Sequence, residues 1–277
     1  MRGDGDGWLE CGRGHRHWGR FGAAGLLLYT AVAGEAYVLL QHRALWCHHG
    51  NTWGIPGGAR DSHETAVAAA LREADEEAGI DAELVTVHRE LVDDHQGWKY
   101  TSVIAHADKK IDTVANRESL ALVWQPVSDT EGLDLHPGFA ATWPAAQARQ
   151  VRLLVDTANV IGSRPNGWWR DRPGATTSEL QRLAGLVTRL VVLPSGADAV
   201  VVAVTAVLEG EARGADTVPG VETVRATGSG DDTLVALAEH AAGQEVLVVT
   251  ADRELRGRLP PTTGVVGPSW LSARPAG

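Results

Sequence analysis

The chain has 277 residues, a net charge of −10 at neutral pH, 44% apolar residues and two cysteines, Cys11 and Cys47. That length suits two domains with ordinary cores, and two cysteines are too few for a disulfide framework, so a reducing cytoplasm is the expected compartment. The acidity argues against a broad surface that binds nucleic acid by neutralising phosphates, and leaves room only for local basic patches.

Residues 1–20 carry Cys11, His15 and His17, with Cys47, His48 and His49 able in principle to complete a zinc site. The tight C-x2–4-C or H-x3–5-H pairs of structural zinc are missing, so these residues read as ordinary loop. The apolar run Ala23 to Ala33 is interrupted by Gly25, Tyr29 and Thr30 and fits neither a signal peptide nor a membrane span. It reads as a buried strand, and no membrane association is expected. Gly25 to Gly34 and Glu35 to Gln41 form two predicted strands, and Trp53 either packs beneath the next loop or stacks on a base, packing being the preferred role. Arginine outnumbers lysine 22 to 3, which suggests a GC-rich bacterial genome.

Trp53-Gly54-Ile55-Pro56-Gly57-Gly58 is a turn-rich loop, after which strong helix formers dominate up to Gly79. The spacing predicts a helix over about 62–78 with a glycine at its end. Glu73, Glu76 and Glu77 then share one face by the i, i+3, i+4 relation, while Val67, Ala70, Leu71 and Ala74 point mostly elsewhere. Such a face is either a solvated acidic stripe or a cation site, and all-oxygen ligands favour Mg²⁺ or Mn²⁺. Arg72 and Glu64, eight residues apart, are placed to pair across the loop.

Gly58, Glu64, Arg72, Glu73, Glu76, Glu77, Gly79 and Ile80 reproduce the full pattern G-x5-E-x7-R-E-U-x-E-E-x-G-U, with Ala74 at the internal U. This resembles the Nudix hydrolase family. The resemblance implies an α/β/α sandwich and Mg²⁺-dependent attack of water on a diphosphate linkage in a nucleoside diphosphate derivative or triphosphate. It also implies Glu73, Glu76 and Glu77 as catalytic metal ligands, the Gly58 carbonyl as a further ligand, and Glu64 with Arg72 as the supporting pair.

Beyond this box, Ala82 to Leu91 and Lys99 to His106 alternate as strands around the turn Asp93 to Gly97. Glu118 to Pro126 supplies another strand, and a helix is expected over about 139–149. Many Nudix proteins place a further acid downstream in a pattern like E-x-x-E-x-x-W. Here its second position is Ala121, which leaves Glu118 as the candidate base or extra ligand and Asp93, Asp94 and His95 in reserve.

Arg149 to Arg152 reads as a polar joint, so the expected domains are 1–150 and 151–277. Leu153 to Asp156, Ala199 to Ala206 and Glu245 to Val249 are predicted strands, alternating with helices near 176–190 and 231–242 in a parallel sheet. Ligands collect at the carboxyl ends of such strands, where Asp156, Asp252 and the helix-opening pair Asp231 and Asp232 would gather. The helix dipole also favours acids at Asp231 and Asp232 without any ligand. LLVDTANVIG, GSGDDTLV and VVTADRELRGRL resemble the NYN branch of the PIN-like ribonucleases, a Rossmannoid fold. That resemblance implies Asp156, Asp231, Asp232 and Asp252 as ligands of Mg²⁺ or Mn²⁺, with Asn159 in support and Thr157 where the family usually has glycine.

In RPNGWWRDR, Arg164, Trp168, Trp169 and Arg170 are the types that grip phosphate and stack on unpaired bases, and serve equally well as packing residues. Residues 151–277 hold 12 arginines against 14 acids, a net of −2, whereas residues 1–150 hold −8. Single-stranded RNA is therefore expected at the second domain, either cut there or bound by a non-catalytic module. A nucleotide is expected at the first. Residues 260–277 should form a short final strand and a tail.

Overall fold

In this computed structural model, which describes residues 3–164, 168–241 and 243–272, the apolar run after Phe21 is a strand buried at nine of its ten positions. The chain divides into two compact units, one running to Ala148 and the other from Arg149, with Ala33–Glu35 counting with the second.

The first unit opens on a hairpin of β1 (Trp8–Glu10) and β2 (Arg16–Trp18), where the sequence predicts plain loop. Then follow β3 (Ala23–Val32), β4 (Glu35–Arg43), β5 (Trp53–Gly54), β6 (Gly57–Ala59), α1 (Ala66–Ala78), β7 (Thr86–Asp94), β8 (Lys99–His106), β9 (Ser119–Pro126) and α2 (Pro137–Ala146). β3 to β9 form one mixed sheet ordered β5-β4-β3-β8-β7, with β6 on β3 and β9 on β4. β3 and β8 run parallel.

Alternation along β3 sends Leu26 and Leu28 into a core with Ala69, Ala70, Ala74 and Ala78 of α1. On the other face the Tyr29 hydroxyl donates to the Ala146 carbonyl at the end of α2, at 2.9 Å. Helices thus cover both faces of one sheet, an α/β/α arrangement.

α1 begins four residues later than its composition suggests. Thr65 takes the N-cap, its hydroxyl accepting from the Ala68 N–H at 3.1 Å, so Ser62 to Thr65 stay in the loop. Gly79, at φ +67°, ends the helix and donates to the Asp75 carbonyl. β7 starts at Thr86, because Asp81 caps a 3₁₀ turn over Ala82–Leu84. α2 starts at Pro137, since proline suits the first helical position, and stops at Ala146.

The second unit contains β10 (Arg149–Asp156), α3 (Thr157–Gly162), α4 (Arg172–Ala184), β11 (Leu190–Val192), β12 (Asp198–Leu208), β13 (Glu222–Arg225), α5 (Gly230–His240), β14 (Val246–Val249), α6 (Arg253–Arg258) and β15 (Gly264–Val266). Its sheet runs β11-β12-β10-β14-β15, with β13 also on β12; every described pairing is parallel except that of β11. Arg149 to Arg152 is not a joint but the first half of β10, with Val151 buried and paired to Val201. Polar residues on either side of Val151 hide the strand from a hydropathy reading. β10 has β12 on one side and β14 on the other, which makes its carboxyl end, at Asp156, the switch point of the sheet. Among the described residues no helix is long and apolar enough to cross a membrane.

Candidate active site

The acidic face of α1 is organised by one cation. Arg72 donates from Nε and one terminal nitrogen to the two Glu64 oxygens at 2.7 and 3.0 Å, to Glu73 Oε1 at 2.8 Å and to the Ala59 carbonyl at 3.0 Å. Glu76 stands 3.5 Å from the same guanidinium. The pair expected across the loop is thus present, and Arg72 holds the Glu64 carboxyl below its ordinary range while its own pKa is driven upward.

Glu77 behaves differently. It is 5% exposed, has no ion pair among the described residues and is held by one hydrogen bond, the Gly57 N–H donating to Oε2 at 2.8 Å. Burial, reinforced by the charges of Glu73 and Glu118, pushes its carboxyl up to about 7. Burial also raises the pKa of Glu73, against the pull of Arg72. A Cβ on Gly58 would lie 2.5 Å from Glu73 Oε1, so only glycine lets the loop backbone press against that carboxylate.

Glu118 is brought to this face by Asn116. The Asn116 side chain accepts from the Glu118 N–H at 2.8 Å and donates to the Glu76 carbonyl at 3.3 Å, while its backbone N–H reaches the Glu77 carbonyl at 3.4 Å. Both Gly58 and Glu118 line a cavity of about 730 Å³ whose walls include Trp8, Trp46, Trp98, Phe139 and Arg43. Trp46 is 65% exposed there, whereas Trp53 is stacked on His42 at 4.5 Å and so takes the packing role. His136, on the same wall, is desolvated and pulled down to about 4.

Of the reserve residues, Asp94 is occupied by Lys99 at 3.1 Å and by the Gln96 N–H at 2.8 Å, and its pKa falls accordingly. Asp93 and His95 line the cavity and are hydrogen-bonded to each other at 2.8 Å. Among the described residues three groups bring ligand atoms within 4.8 Å of one another: Cys11 with His15, His17 and His95; His48 with His49 and His136; and Asp4 with Asp61 and His63. The glutamate face of α1 is not one of them: Glu73 and Glu76 pair with Arg72, and Glu77 is turned to the Gly57 N–H. Cys47, which sequence spacing offered as a partner for Cys11, is in none of them.

In the second unit, Asp156 is 9% exposed and accepts from the Asn159 N–H at 3.0 Å and the Thr250 hydroxyl at 2.8 Å. Its pKa is raised by burial and then by the charges of Glu209 and Asp252. Asp231 is raised by burial and by Asp156, Asp252 and Glu209. Those four acids gather at the carboxyl end of the sheet. Asp232 is instead engaged by Arg258. The sequence places Glu209 shortly after the predicted strand Ala199 to Ala206 but does not include it among the metal ligands. Asp252 caps α6, accepting from the N–H groups of Glu254 and Leu255. In the tryptophan loop, residues 165–167 lie outside the described residues. Arg164 is paired with the buried Glu179 at 3.0 Å, and Arg172 lies over the Trp168 ring at 4.9 Å, while Trp169 is 63% exposed. Arg164, Trp168 and Arg170 border a cleft of about 580 Å³.

An α/β/α unit that sets an arginine-braced row of glutamates against a glycine loop, beside a nucleotide-sized cavity, defines a hydrolase of the Nudix class. Residues 20–145 match the NUDIX domain model. "Putative 8-oxo-dGTP diphosphatase 3" of Mycobacterium tuberculosis is 53% identical over 150 residues, spanning 52% of this chain and 69% of the relative. A nucleoside triphosphate pyrophosphatase/Nudix hydrolase fusion protein of Bifidobacterium longum is 41% identical over 158 residues, spanning 54% of this chain and 33% of that protein. The crystal structure of the Nudix hydrolase RenU from M. smegmatis shares 51% identity over 51% of this chain and 92% of its own, with a TM-score of 0.49. The chain belongs to the Nudix family and is a pyrophosphohydrolase. The family match ends at residue 145.

Proposed function

We propose that the first unit hydrolyses a purine nucleoside triphosphate of the 8-oxo-dGTP type between its phosphates, using Mg²⁺ or Mn²⁺. The observation that carries this reading is that the Gly57–Gly58 loop and Glu118 line one aromatic-walled cavity of about 730 Å³, while the same loop touches the α1 glutamates, Gly57 donating to Glu77 and Gly58 lying against Glu73. The name of the M. tuberculosis relative supports the choice of base.

Glu73, Glu76, Glu77 and the Gly58 carbonyl would hold the cation. The donor set is all hard oxygen, Glu77 is a buried carboxyl with no direct ion pair among the described residues and only the charge of Arg43 nearby, and the glycine at 58 keeps the backbone against Glu73, so these residues fit a hard divalent ion. When bound, that ion neutralises charge on the pyrophosphate oxygens, an effect worth several kcal/mol in such sites. Glu118 takes the proton from the attacking water, Arg72 and Glu64 keep the glutamates in position, and Trp46 stacks on the base. The two cysteines are free, as suits a cytoplasmic enzyme.

Steady-state kinetics on 8-oxo-dGTP, dGTP, ADP-ribose, a dinucleoside tetraphosphate and NADH test the substrate. The expected result is the highest kcat/KM for 8-oxo-dGTP, with release of monophosphate and pyrophosphate. A preference of tenfold or more for ADP-ribose or the dinucleotides would remove this assignment and leave the pyrophosphohydrolase standing.

For the second unit, taken to start at Arg149, we infer a PIN-like domain in which Asp156, Asp231, Asp252 and Glu209 hold Mg²⁺ or Mn²⁺. The mutual repulsion of four gathered acids supports a cation there. Single-stranded RNA is the proposed partner, approached through the exposed Trp169 and through Arg170. Mn²⁺-dependent cleavage that disappears in Asp156→Asn supports the nuclease, and RNA binding without cleavage supports a non-catalytic module.

A further inference from the structure

The residues that line the amino-terminal side of the cavity hold a second kind of site. Cys11 directly follows β1, His15 directly precedes β2, and His17 is the middle residue of β2, two positions after His15. The turn between them is closed by hydrogen bonds from the Cys11 N–H to the His15 carbonyl and from the Gly14 N–H to the Cys11 carbonyl, both 2.9 Å. Gly14 has φ +77°, which glycine adopts without strain. The tip of this hairpin is tied to the β7–β8 turn, because the Gly12 N–H donates to the Gln96 carbonyl at 2.6 Å and Arg13 to the Asp94 carbonyl at 2.6 Å. That turn delivers His95. The Cys11 sulfur and one ring nitrogen from each of His15, His17 and His95 all lie within 4.8 Å of one another.

Three features separate this group from a chance gathering of polar residues. Buried ring nitrogens of His17 (Nε2) and His95 (Nδ1) have no hydrogen-bond partner among the described residues, an arrangement that costs free energy unless something else uses the lone pairs. The other nitrogen of His95, Nε2, meets Asp93 Oδ2 at 2.8 Å, and a carboxylate behind a histidine fixes its tautomer and raises its basicity as a ligand. Cys11 is a free thiol, 4% exposed, so it is shielded from disulfide exchange and faces the histidines. The His17 ring is held in place by stacking on Trp98 at 4.0 Å with planes 10° apart, and Trp98 is in turn anchored to the Gly19 carbonyl.

We propose that Cys11, His15, His17 and His95 form a tetrahedral site for zinc or a chemically similar divalent transition ion, which fastens the β1–β2 hairpin to the β7–β8 turn. One thiolate with three imidazoles is a borderline-soft set that suits zinc and disfavours Mg²⁺, so the site is separate in chemistry from the glutamate face. Bonds of about 2.0–2.3 Å require ligand separations of roughly 3.3–3.8 Å, which modest side-chain rotation reaches from the observed spacing. Binding displaces the thiol proton of Cys11 to solvent, so affinity falls as pH falls. With four protein ligands no position is left for substrate, and the role is structural. The hairpin carries Trp8 and Trp18 into the wall of the cavity, so the ion would fix the shape of that wall.

The test uses the full chain, loaded with zinc, passed over a desalting column and measured by elemental analysis and, after cobalt substitution, by absorption spectroscopy. The expected result is one zinc ion per chain in the wild type and in Glu77→Gln, with the intense ligand-field bands of tetrahedral cobalt and a sulfur-to-metal charge-transfer band. Cys11→Ser should abolish the charge-transfer band, and His95→Gln should lower zinc affinity at least tenfold, with circular dichroism confirming that each variant is folded. If Cys11→Ser does not fold, the charge-transfer band of the wild type and the affinity of His95→Gln decide. The proposal is overturned if the wild type retains no zinc above the Cys11→Ser and His95→Gln variants. It is also overturned if cobalt binds without a sulfur band, or if zinc is lost with His136→Gln and kept with His95→Gln.

Discussion

Replacing Glu77 with glutamine separates what this carboxylate does for catalysis from what it does to the fold. Burial raises its pKa from the ordinary 4.5 to about 7, so the folded chain binds the proton more tightly than the unfolded chain does. Below pH 4.5 both states are protonated and the buried acid is harmless. Between pH 4.5 and about 7 the unfolded chain is ionised while the folded chain keeps the proton, so the metal-free protein loses stability at about 1.4 kcal/mol per pH unit, about 3 kcal/mol in total, and the loss levels off above pH 7. Glutamine has nearly the same shape and can still accept from the Gly57 N–H, so its variant escapes this loss. For a unit of about 150 residues the difference corresponds to roughly 6–12 °C in Tm.

Melting wild type and Glu77→Gln in EDTA at pH 5, 6, 7 and 8 should show curves that nearly coincide at pH 5 and diverge upward, the variant being the more stable at pH 8. Adding Mg²⁺ at pH 8 should raise the wild type more than the variant, because the variant lacks the buried carboxylate that gains most from the cation. Turnover should fall by at least about 10²-fold in the variant. A gap in Tm that stays constant from pH 5 to pH 8, or a variant that melts below the wild type at pH 8, would refute the account of Glu77 as a strained buried charge.

Glu118→Gln should lower kcat by about 10²-fold with Mg²⁺ affinity unchanged, as a base would; a parallel loss of Mg²⁺ affinity in a titration would make it a ligand instead. Arg72→Ala should cost about 2 kcal/mol, read as a lower urea midpoint, because it leaves the largely shielded Glu64 without its bidentate partner, and Arg72→Lys should recover only part of that. Trp46→Ala should raise the KM for the proposed purine triphosphate about tenfold with little change in kcat, since a ring stacked on the base as proposed would contribute uniform binding and nothing to the bond being broken.

Much of the first unit was legible in its sequence because its signals are local. Helix α1 follows from composition, a terminal glycine and a 3.6-residue period, and the shared face of Glu73, Glu76 and Glu77 is a property of that helix alone. The error at its start, Ser62 against Ala66, comes from a cap: Thr65 competes for the Ala68 N–H, and no periodicity reports that. The polar opening of β10 was missed for the opposite reason, since a strand whose buried residue is flanked by arginine and glutamine is recognisable only once β12 and β14 flank it.

The candidate sites divide along the same line. Where ligands come from one helix, as on α1, spacing is geometry. Where they come from several elements, spacing misleads: Cys11, His15 and His17 were set beside Cys47, His48 and His49 because those are neighbours in kind. Strand register decides otherwise. The β7–β8 hairpin puts His95 at its turn, the hydrogen bond from Gly12 to Gln96 brings that turn to the amino-terminal hairpin, and the only histidine in the turn completes the group. His48 and His49 go instead to His136 at the start of α2. Glu209 joins the acids of the second unit by the same logic, carried there by β12 as Asp156 is by the parallel β10 beside it. In each case the missing member lies shortly after a strand, or in the turn between two, that the sequence did predict. A partial ligand set is completed from the ends of neighbouring strands, and not from the nearest residues of the right type.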